Sequence, residues 1–419
     1  MPGIHLPGLW QHRDFMKLWA GQSVSLMGSQ VSQLAVPLVA VMMLRATPAE
    51  MGYLNALQMA PFLGLSLFAG VWLDRMRRRP VLVGADVLRM VFMGFIPILG
   101  FMGVLRMADL DIIMLLVGIC TVFFDVAYQS YLPALVGRKD LVEGNAKLES
   151  TRSVSSIAGP AVAGFLVQVL SASAAILVDA CSYIVSFVSL LLIRAPEPHP
   201  AEGVVRQTFW QDLGEGLGTI TKDRYLSAIA RCTGTSNFFS SAGMSVFVLY
   251  AVHQLGFSAA LLGTVFAIGS VGGLLGSLVS RRAGDRFGFG HTVIGSILFA
   301  GLGGFLFPLA FHPGIPAIVL VSLGEGLVSF GSVIYNVTQV SFRQTITPDK
   351  LLGRMNASMR FIVWGTMPLG SLLGGTLGTW IGLRPTLAVA AMGALLSVVW
   401  VVLSPLRSVH SEGALSASA

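Results

Sequence analysis

The chain has 419 residues, of which 54% are apolar and 11% charged, and its mean hydropathy is +0.76. Soluble globular proteins carry about 25% charged residues, so a water-soluble fold is excluded; disorder is excluded too, because it needs low hydrophobicity and high charge. A net charge of +7 would suit nucleic acid only if a soluble domain displayed it, and no segment reads as one.

In chain order, residues 1–15 lack a short apolar core ending in a small-residue cleavage site, so the first apolar run is expected to stay as an uncleaved membrane helix. Apolar runs bounded by charges or turn residues then predict twelve crossings, at 18–44, 52–73, 81–105, 112–133, 154–171, 173–193, 226–251, 259–280, 291–311, 315–338, 358–380 and 385–403. The expected class is an all-α membrane protein of twelve transmembrane helices. Its long connection divides the chain into a six-helix bundle at 1–193, a linker at 194–225, a second bundle at 226–403 and a tail at 404–419. Within the linker, Phe209-Trp210-Gln211-Asp212-Leu213 reads as an interfacial helix with an aromatic anchor. With the N-terminus inside, nearly all of the 27 Lys and Arg residues fall on the cytoplasmic side. Only Arg45, Arg106 and Arg384 lie in outer loops, and Arg89 and Arg231 lie within spans. That asymmetry explains the positive charge and predicts both termini in the cytoplasm.

The halves resemble each other. Asn145-Ala146, Gly159 and Gly164 recur at one constant offset as Asn356-Ala357, Gly370 and Gly375. Parallel six-helix repeats place a substrate path between the halves, near mid-membrane.

After the second span comes Gly70-Val71-Trp72-Leu73-Asp74-Arg75-Met76-Arg77-Arg78-Arg79-Pro80. It resembles the signature loop of the major facilitator superfamily, G-x-L-x-D-R-x-G-R-R/K, at Gly70, Asp74, Arg75, Arg78 and Arg79, and departs from it at Met76-Arg77. Phe15-Met16-Lys17-Leu18-Trp19, Pro37, Pro61-Phe62, Asp86 with Arg89, Tyr131-Leu132-Pro133, Asn145-Ala146 and Gly159-Pro160 are similar to the branch that holds macrolide-efflux pumps and the enterobactin exporter. The resemblance implies two pseudo-symmetric bundles that rock about a central cavity. It implies also that Asp74 latches the cytoplasmic side, and that Gly159 and Pro160 stand in a fifth-span element of proton-driven exporters; ordinary helix packing is the other reading of that element. That branch often carries an acid after the glycine at position 28, where this chain has Ser29.

A charge at the bilayer centre costs about 2.5–3.5 kcal/mol on insertion scales, so the acids within spans stand out. Asp86 and Arg89 are three residues apart on one helix face and can pair. Asp125 has no basic residue at helical spacing. The resemblance offers Arg78 as its partner in a relay to the gating loop, with a proton-carrying acid or an inert residue as alternatives. Glu325, between Gly324 and Gly326 near mid-depth, is the first candidate for proton coupling or substrate contact, against a hydrogen-bonded structural role. Asp179, about six residues in from the outer face of its span, is expected to reach water, and Arg231 to snorkel.

No Walker loop, Gly-x-Ser-x-Gly elbow, His-Glu-x-x-His or other metal or cofactor spacing occurs, so no cofactor, metal or catalytic residue is expected. A membrane-embedded enzyme would need a catalytic constellation that is absent. The resemblance to the efflux branch, rather than composition, implies proton-coupled antiport of amphipathic, drug-type small molecules, expected of a monomer in a bacterial inner membrane. The alternatives are a narrow siderophore or metabolite exporter and a non-transporting sensor or scaffold.

Overall fold

The computed structural model of the chain describes residues 8–65, 72–73, 76–195, 197 and 209–409, with backbone alone at 138, 209–213 and 349–350. The regular secondary structure of the described residues is all helical. In order they form α1 (Arg13–Leu38, continued by a π turn at Val39–Met43), α2 (Pro48–Gly64), α3 (Arg78–Phe101), α4 (Met107–Gly137), α5 (Lys139–Leu170) and α6 (Ala172–Leu191). There follow α7 (Phe209–Lys222), α8 (Arg224–His253), α9 (259–287), α10 (289–309), α11 (Ile315–Ile346), α12 (Asp349–Trp380) and α13 (Leu383–Leu396, with a further turn at Val399–Val402). All but α7 correspond to the twelve expected crossings. Large apolar side chains such as Phe165, Leu278 and Leu302 stay exposed on these helices, a surface that acyl chains rather than water would cover.

Two helix pairs meet with almost no loop between them. Gly137 (φ 73°) separates α4 from α5 and Gly288 (φ 77°) separates α9 from α10, each in a conformation open to glycine but costly for other residues. The helices also run well past their hydropathic segments. The stretch 134–153, expected to be a loop, is almost wholly helix, because Lys139, Asp140, Glu143 and Lys147 support helical hydrogen bonding in water while hydropathy registers only the lipid-crossing part.

The described residues group into two units. One lies within Met1–Arg45, Leu57–Val204 and Ala259–Thr264, the other within Ala46–Ala56, Val205–Ser258 and Val265–Ala419. The first is built on a core that includes Phe15, Leu18, Leu82, Phe124, Tyr131 and Leu190. Its α5 meets the start of α9 closely: a Cβ on Gly263 would lie 2.8 Å from the Cα of Gly164. The second has a core that includes Cys232, Phe289, Tyr335, Phe342 and Met359. There the start of α2 meets α12, and a Cβ on Gly375 would lie 2.9 Å from the Cα of Gly52. Gly52 and Gly263 stand at the same repeat offset as Gly164 and Gly375, so each unit contains one copy of the same glycine-to-glycine seat.

The linker helix α7 belongs to the second unit. Ile220 is in its core, Gly216 packs on the Arg354 backbone, and Glu215 accepts from Arg354 of α12. It is docked on protein through residues 215–220, and the Phe209–Leu213 side chains on which the reading of an aromatic interfacial anchor rests lie outside the description. The first residues of the tail dock as well: Leu406 is buried, and Val409 accepts from Gly290 N–H at 3.1 Å.

Candidate functional site

The second unit holds a half-open cavity of about 410 Å³ lined by α8, α10, α11, α13 and Met367 of α12. Its wall is mostly apolar. Phe247 and Phe307, with ring centroids 5.0 Å apart, stand beside Phe239 and Met244, while Gly301 and Gly304 leave α10 without side chains there. Polar groups are scattered through it, and some are specifically held. Thr233 donates its hydroxyl proton to Ile229 O at 2.8 Å, so in the 2.5 Å contact with Tyr335 the tyrosine is the donor. Asn237 donates to Val363 O at 3.2 Å, and Ser236, Ser240, Ser241, Ser296, Ser332 and Asn336 complete the hydroxyl and amide lining.

Glu325 is the single charged side chain among the lining residues, and no Lys, Arg or His accompanies it there. Its seat is made by glycines. A Cβ on Gly269 of α9 would lie 2.5 Å from the Glu325 Cγ. On either side the helix backbones close up, with Gly303 of α10 against Gly324 and Gly272 of α9 against Gly326. The flanking glycines read from the sequence as room for a backbone or a ligand therefore admit two neighbouring helices, which fix α11 so that Glu325 borders the cavity.

The first unit assembles a different arrangement. Asp86 and Arg89 of α3 form a direct ion pair, 0% and 5% exposed, and the Arg89 guanidinium lies over Phe124 at 4.1 Å and Tyr183 at 4.6 Å. Asp179 of α6 does not reach water. It is 1% exposed and receives hydroxyls from Ser182 at 3.2 Å and from Ser29 and Tyr183 at 3.5 Å. The sequence reading missed this because depth along a helix does not say which face packs. The signal available was the spacing of Asp179, Ser182 and Tyr183, which puts all three on one side of α6. Asp125 of α4 is exposed, and the charges that act on it are Arg89 and Arg152.

The gating-loop residues separate. Gly70, Asp74 and Arg75 lie outside the described residues. Arg78 is engaged elsewhere than at Asp125: Glu197 accepts from the backbone N–H groups of Arg78 at 2.5 Å and Arg79 at 3.2 Å, and its carboxylate lies 3.9 Å from the Arg78 guanidinium. An acid at the start of α3 completes two otherwise open N–H groups and meets the positive end of the helix dipole. Arg79 reaches Leu190 O at 2.9 Å and Leu191 O at 2.7 Å, satisfying the open carbonyls at the end of α6. Glu197, which no spacing announces, is the residue sequence reasoning overlooked here. Gly159 of α5 takes the Gln30 side chain of α1 against its backbone, and the Pro160 carbonyl faces Gly263. Arg231 lies 5.4 Å over the Trp400 ring.

Comparison with known proteins gives the decisive match. The family model of the Major Facilitator Superfamily matches residues 18–345 and 230–418. The chain belongs to the major facilitator superfamily. It is similar to Macrolide efflux protein A of Streptococcus pyogenes, 24% identical over 377 residues that cover 88% of this chain and 90% of the relative. It is similar also to Multidrug efflux pump Tap of Mycolicibacterium fortuitum, 27% identical over 367 residues, 83% of this chain and 85% of the relative. Among solved structures, a bacterial homologue of the iron transporter ferroportin in an inward-facing state aligns with a TM-score of 0.76 at 16% identity, covering 94% of this chain and 99% of that one. The nucleoside transporter NupG aligns at 0.72 and 13%, covering 93% and 98%. At these identities the structures establish the fold alone, and the chain is a multi-pass membrane transporter with the twelve-helix facilitator fold, not an enzyme.

Proposed function

We propose that the protein is a secondary active exporter of amphipathic small molecules of the drug or antibiotic type, working by alternating access as a proton antiporter. The observation that carries this reading is the apolar, aromatic cavity of the second unit with Glu325 as its single lining charge. A mostly apolar wall with scattered hydroxyls and amides takes molecules that are mostly hydrophobic with scattered polar groups. A wall without cations gives an anionic siderophore nothing to pair with, which favours the amphipathic substrate over the siderophore alternative. The macrolide and multidrug pumps among the relatives support the same direction.

In this scheme Glu325 and Asp125 carry protons inward as substrate leaves. A membrane potential of 100 mV supplies about 2.3 kcal/mol per charge moved, so one or two protons supply useful work. The N- and C-termini are placed in the cytoplasm of a bacterial inner membrane and the working unit is a monomer, in line with the charge asymmetry of the loops. The chain is organised for this as bundles at 1–193 and 226–403, a linker at 194–225 and a tail at 404–419. Gly70, Asp74 and Arg75, with Arg78 and Arg79, would form the cytoplasmic gate, and Gly159 and Pro160 the flexible element of α5.

The test is a susceptibility and uptake panel with erythromycin and ethidium in a pump-deficient bacterial host, followed by proteoliposomes under an imposed pH gradient. Lower accumulation with the wild type, abolished by Glu325→Gln, is the expected result. Proteoliposomes that move neither compound under the gradient reject the scheme.

A further inference from the structure

Two arginines of the second unit stand together without an acid. Arg343, near the end of α11, is half-buried, and its Nε is enclosed with no hydrogen-bond partner. Among the described residues no carboxylate pairs with it, and the charge that acts on it is one of its own sign, Arg360 of α12. Arg360 has no acidic partner there either; its guanidinium lies 5.7 Å from the Trp364 ring. Like charges held side by side repel, and a partly buried one left unpaired is costly unless an anion joins them.

A second, independent observation lies one turn earlier on the same face of α11. Gln339 is 4% exposed, and its Oε1 is buried with no hydrogen-bond partner. A buried acceptor left open marks a missing donor. Guanidinium groups supply donors alone and suit phosphate oxygens, whereas the Gln339 carbonyl needs an O–H or N–H. A phosphate anion that also carries a hydroxyl satisfies all three side chains.

The position of the pair points the same way. Arg343 follows the apolar run 315–338 and Arg360 opens the run 358–380, so both stand at the boundary level of the bilayer. They are at the end where the loop arginines gather, which the charge asymmetry makes the cytoplasmic one. Trp364, beside Arg360, is 43% exposed, and such rings are enriched at the headgroup level.

We infer that α11 and α12 hold a binding site for a hydroxyl-bearing phosphate anion, either the headgroup of an acidic glycerol phospholipid or free hydrogen phosphate. The guanidinium groups of Arg343 and Arg360 take the phosphate oxygens, and Gln339 accepts from the hydroxyl. Basic pockets between helices at this level are a recurrent way of holding acidic headgroups. The site uses none of the residues that line the Glu325 cavity, so it does not rest on the export reading.

The test is native mass spectrometry of the purified full-length protein in detergent, titrated with dioleoylphosphatidylglycerol, with dioleoylphosphatidylcholine of the same acyl chains, and with inorganic phosphate. The wild type is expected to hold phosphatidylglycerol at least tenfold more tightly than phosphatidylcholine. Arg343→Gln with Arg360→Gln should remove that preference, while Arg282→Gln, which deletes an exposed arginine elsewhere in the same unit, should keep it. Arg360 is exposed, so Arg360→Gln alone still tests the site, by a several-fold loss, if the double variant fails to fold. Inorganic phosphate bound with the same dependence on the two arginines supports the site and assigns it to the free anion. Equal retention of the two lipids with no bound phosphate, or an equal loss in Arg282→Gln, overturns the inference, as does binding that survives both substitutions in folded protein.

Discussion

The two units handle buried acid in opposite ways. In the first, Asp86 and Asp179 sit in a dense layer with an arginine, two aromatic faces and a set of hydroxyls, so their charges are held by protein. In the second, Glu325 stands beside open cavity with glycine backbones around it and no cation among the lining residues. The first arrangement is structural as well as chemical, since removing any member leaves others unpaired. The second leaves the acid free to answer a proton or a bound molecule. A carboxylate can therefore be important to a membrane helix bundle either because everything touches it or because little does.

The largest expected effect tests the crowded side. Arg89→Ala leaves Asp86 buried without its partner, a change that costs about 3–5 kcal/mol, and it also removes the cation from above Phe124 and Tyr183. Thermal unfolding in detergent should show a strongly lowered midpoint or no folded protein. A near-normal midpoint would mean that the charge layer contributes little to stability. The comparison would then collapse.

Next in size is a steric test of the open side. Gly269→Val drives side-chain atoms into Glu325, and such overpacking typically costs about 1–3 kcal/mol. Gly284→Ala on the same helix is the control, because nothing lies within 4 Å of the position its Cβ would take; it should be neutral or slightly stabilising. Equal effects of the two substitutions would show that the glycine seat does not position Glu325.

Glu325→Gln keeps the shape and removes the charge. Transport under a pH gradient is expected to fall by roughly tenfold or more, equivalent to about 1.4 kcal/mol or more of lost driving interaction, with the unfolding midpoint unchanged. That pairing of a functional loss with intact stability is the reverse of the outcome for Arg89→Ala, and parallel measurement of both properties in both variants sharpens the contrast. A destabilised Glu325→Gln protein would move Glu325 into the structural class.

How legible this was in the sequence depends on what each residue's role is written in. The crossings could be read because lipid demands apolar runs of fixed length, and the family because Asp86, Arg89, Asn145 and Gly159 stand in a matching order. Glu325 was legible because an acid is costly in an apolar run, so one held between glycines at mid-depth marks a place where something must meet it. Asp179 was misplaced because its partners come from α1 and from its own helix face, and linear depth carries no information about either. The helical continuation through 134–153 was invisible for the opposite reason: hydropathy reports where lipid is, and a charged helix in water looks like a loop to it. Glu197 and its capping of α3 depend on where a connecting segment returns, which no local pattern encodes.

The smallest effect concerns α7, where charge is neither crowded nor isolated but simply wet. Glu215 and Arg354 pair with side chains 46% and 33% exposed. Exposed pairs contribute up to about 1 kcal/mol and weaken as salt rises, since beyond about 10 Å at 0.1 M ionic strength little of the field survives. Glu215→Ala should therefore lower the unfolding midpoint slightly at low salt and hardly at all at high salt, because Ile220 in the core and Gly216 against the α12 backbone still hold the helix. Ile220→Ala should cost more than Glu215→Ala at every salt concentration, since it opens a cavity that no counterion can fill. The reverse order would mean that α7 is held by its charges, and that the linker responds to ionic strength in a way the buried acids of either unit do not.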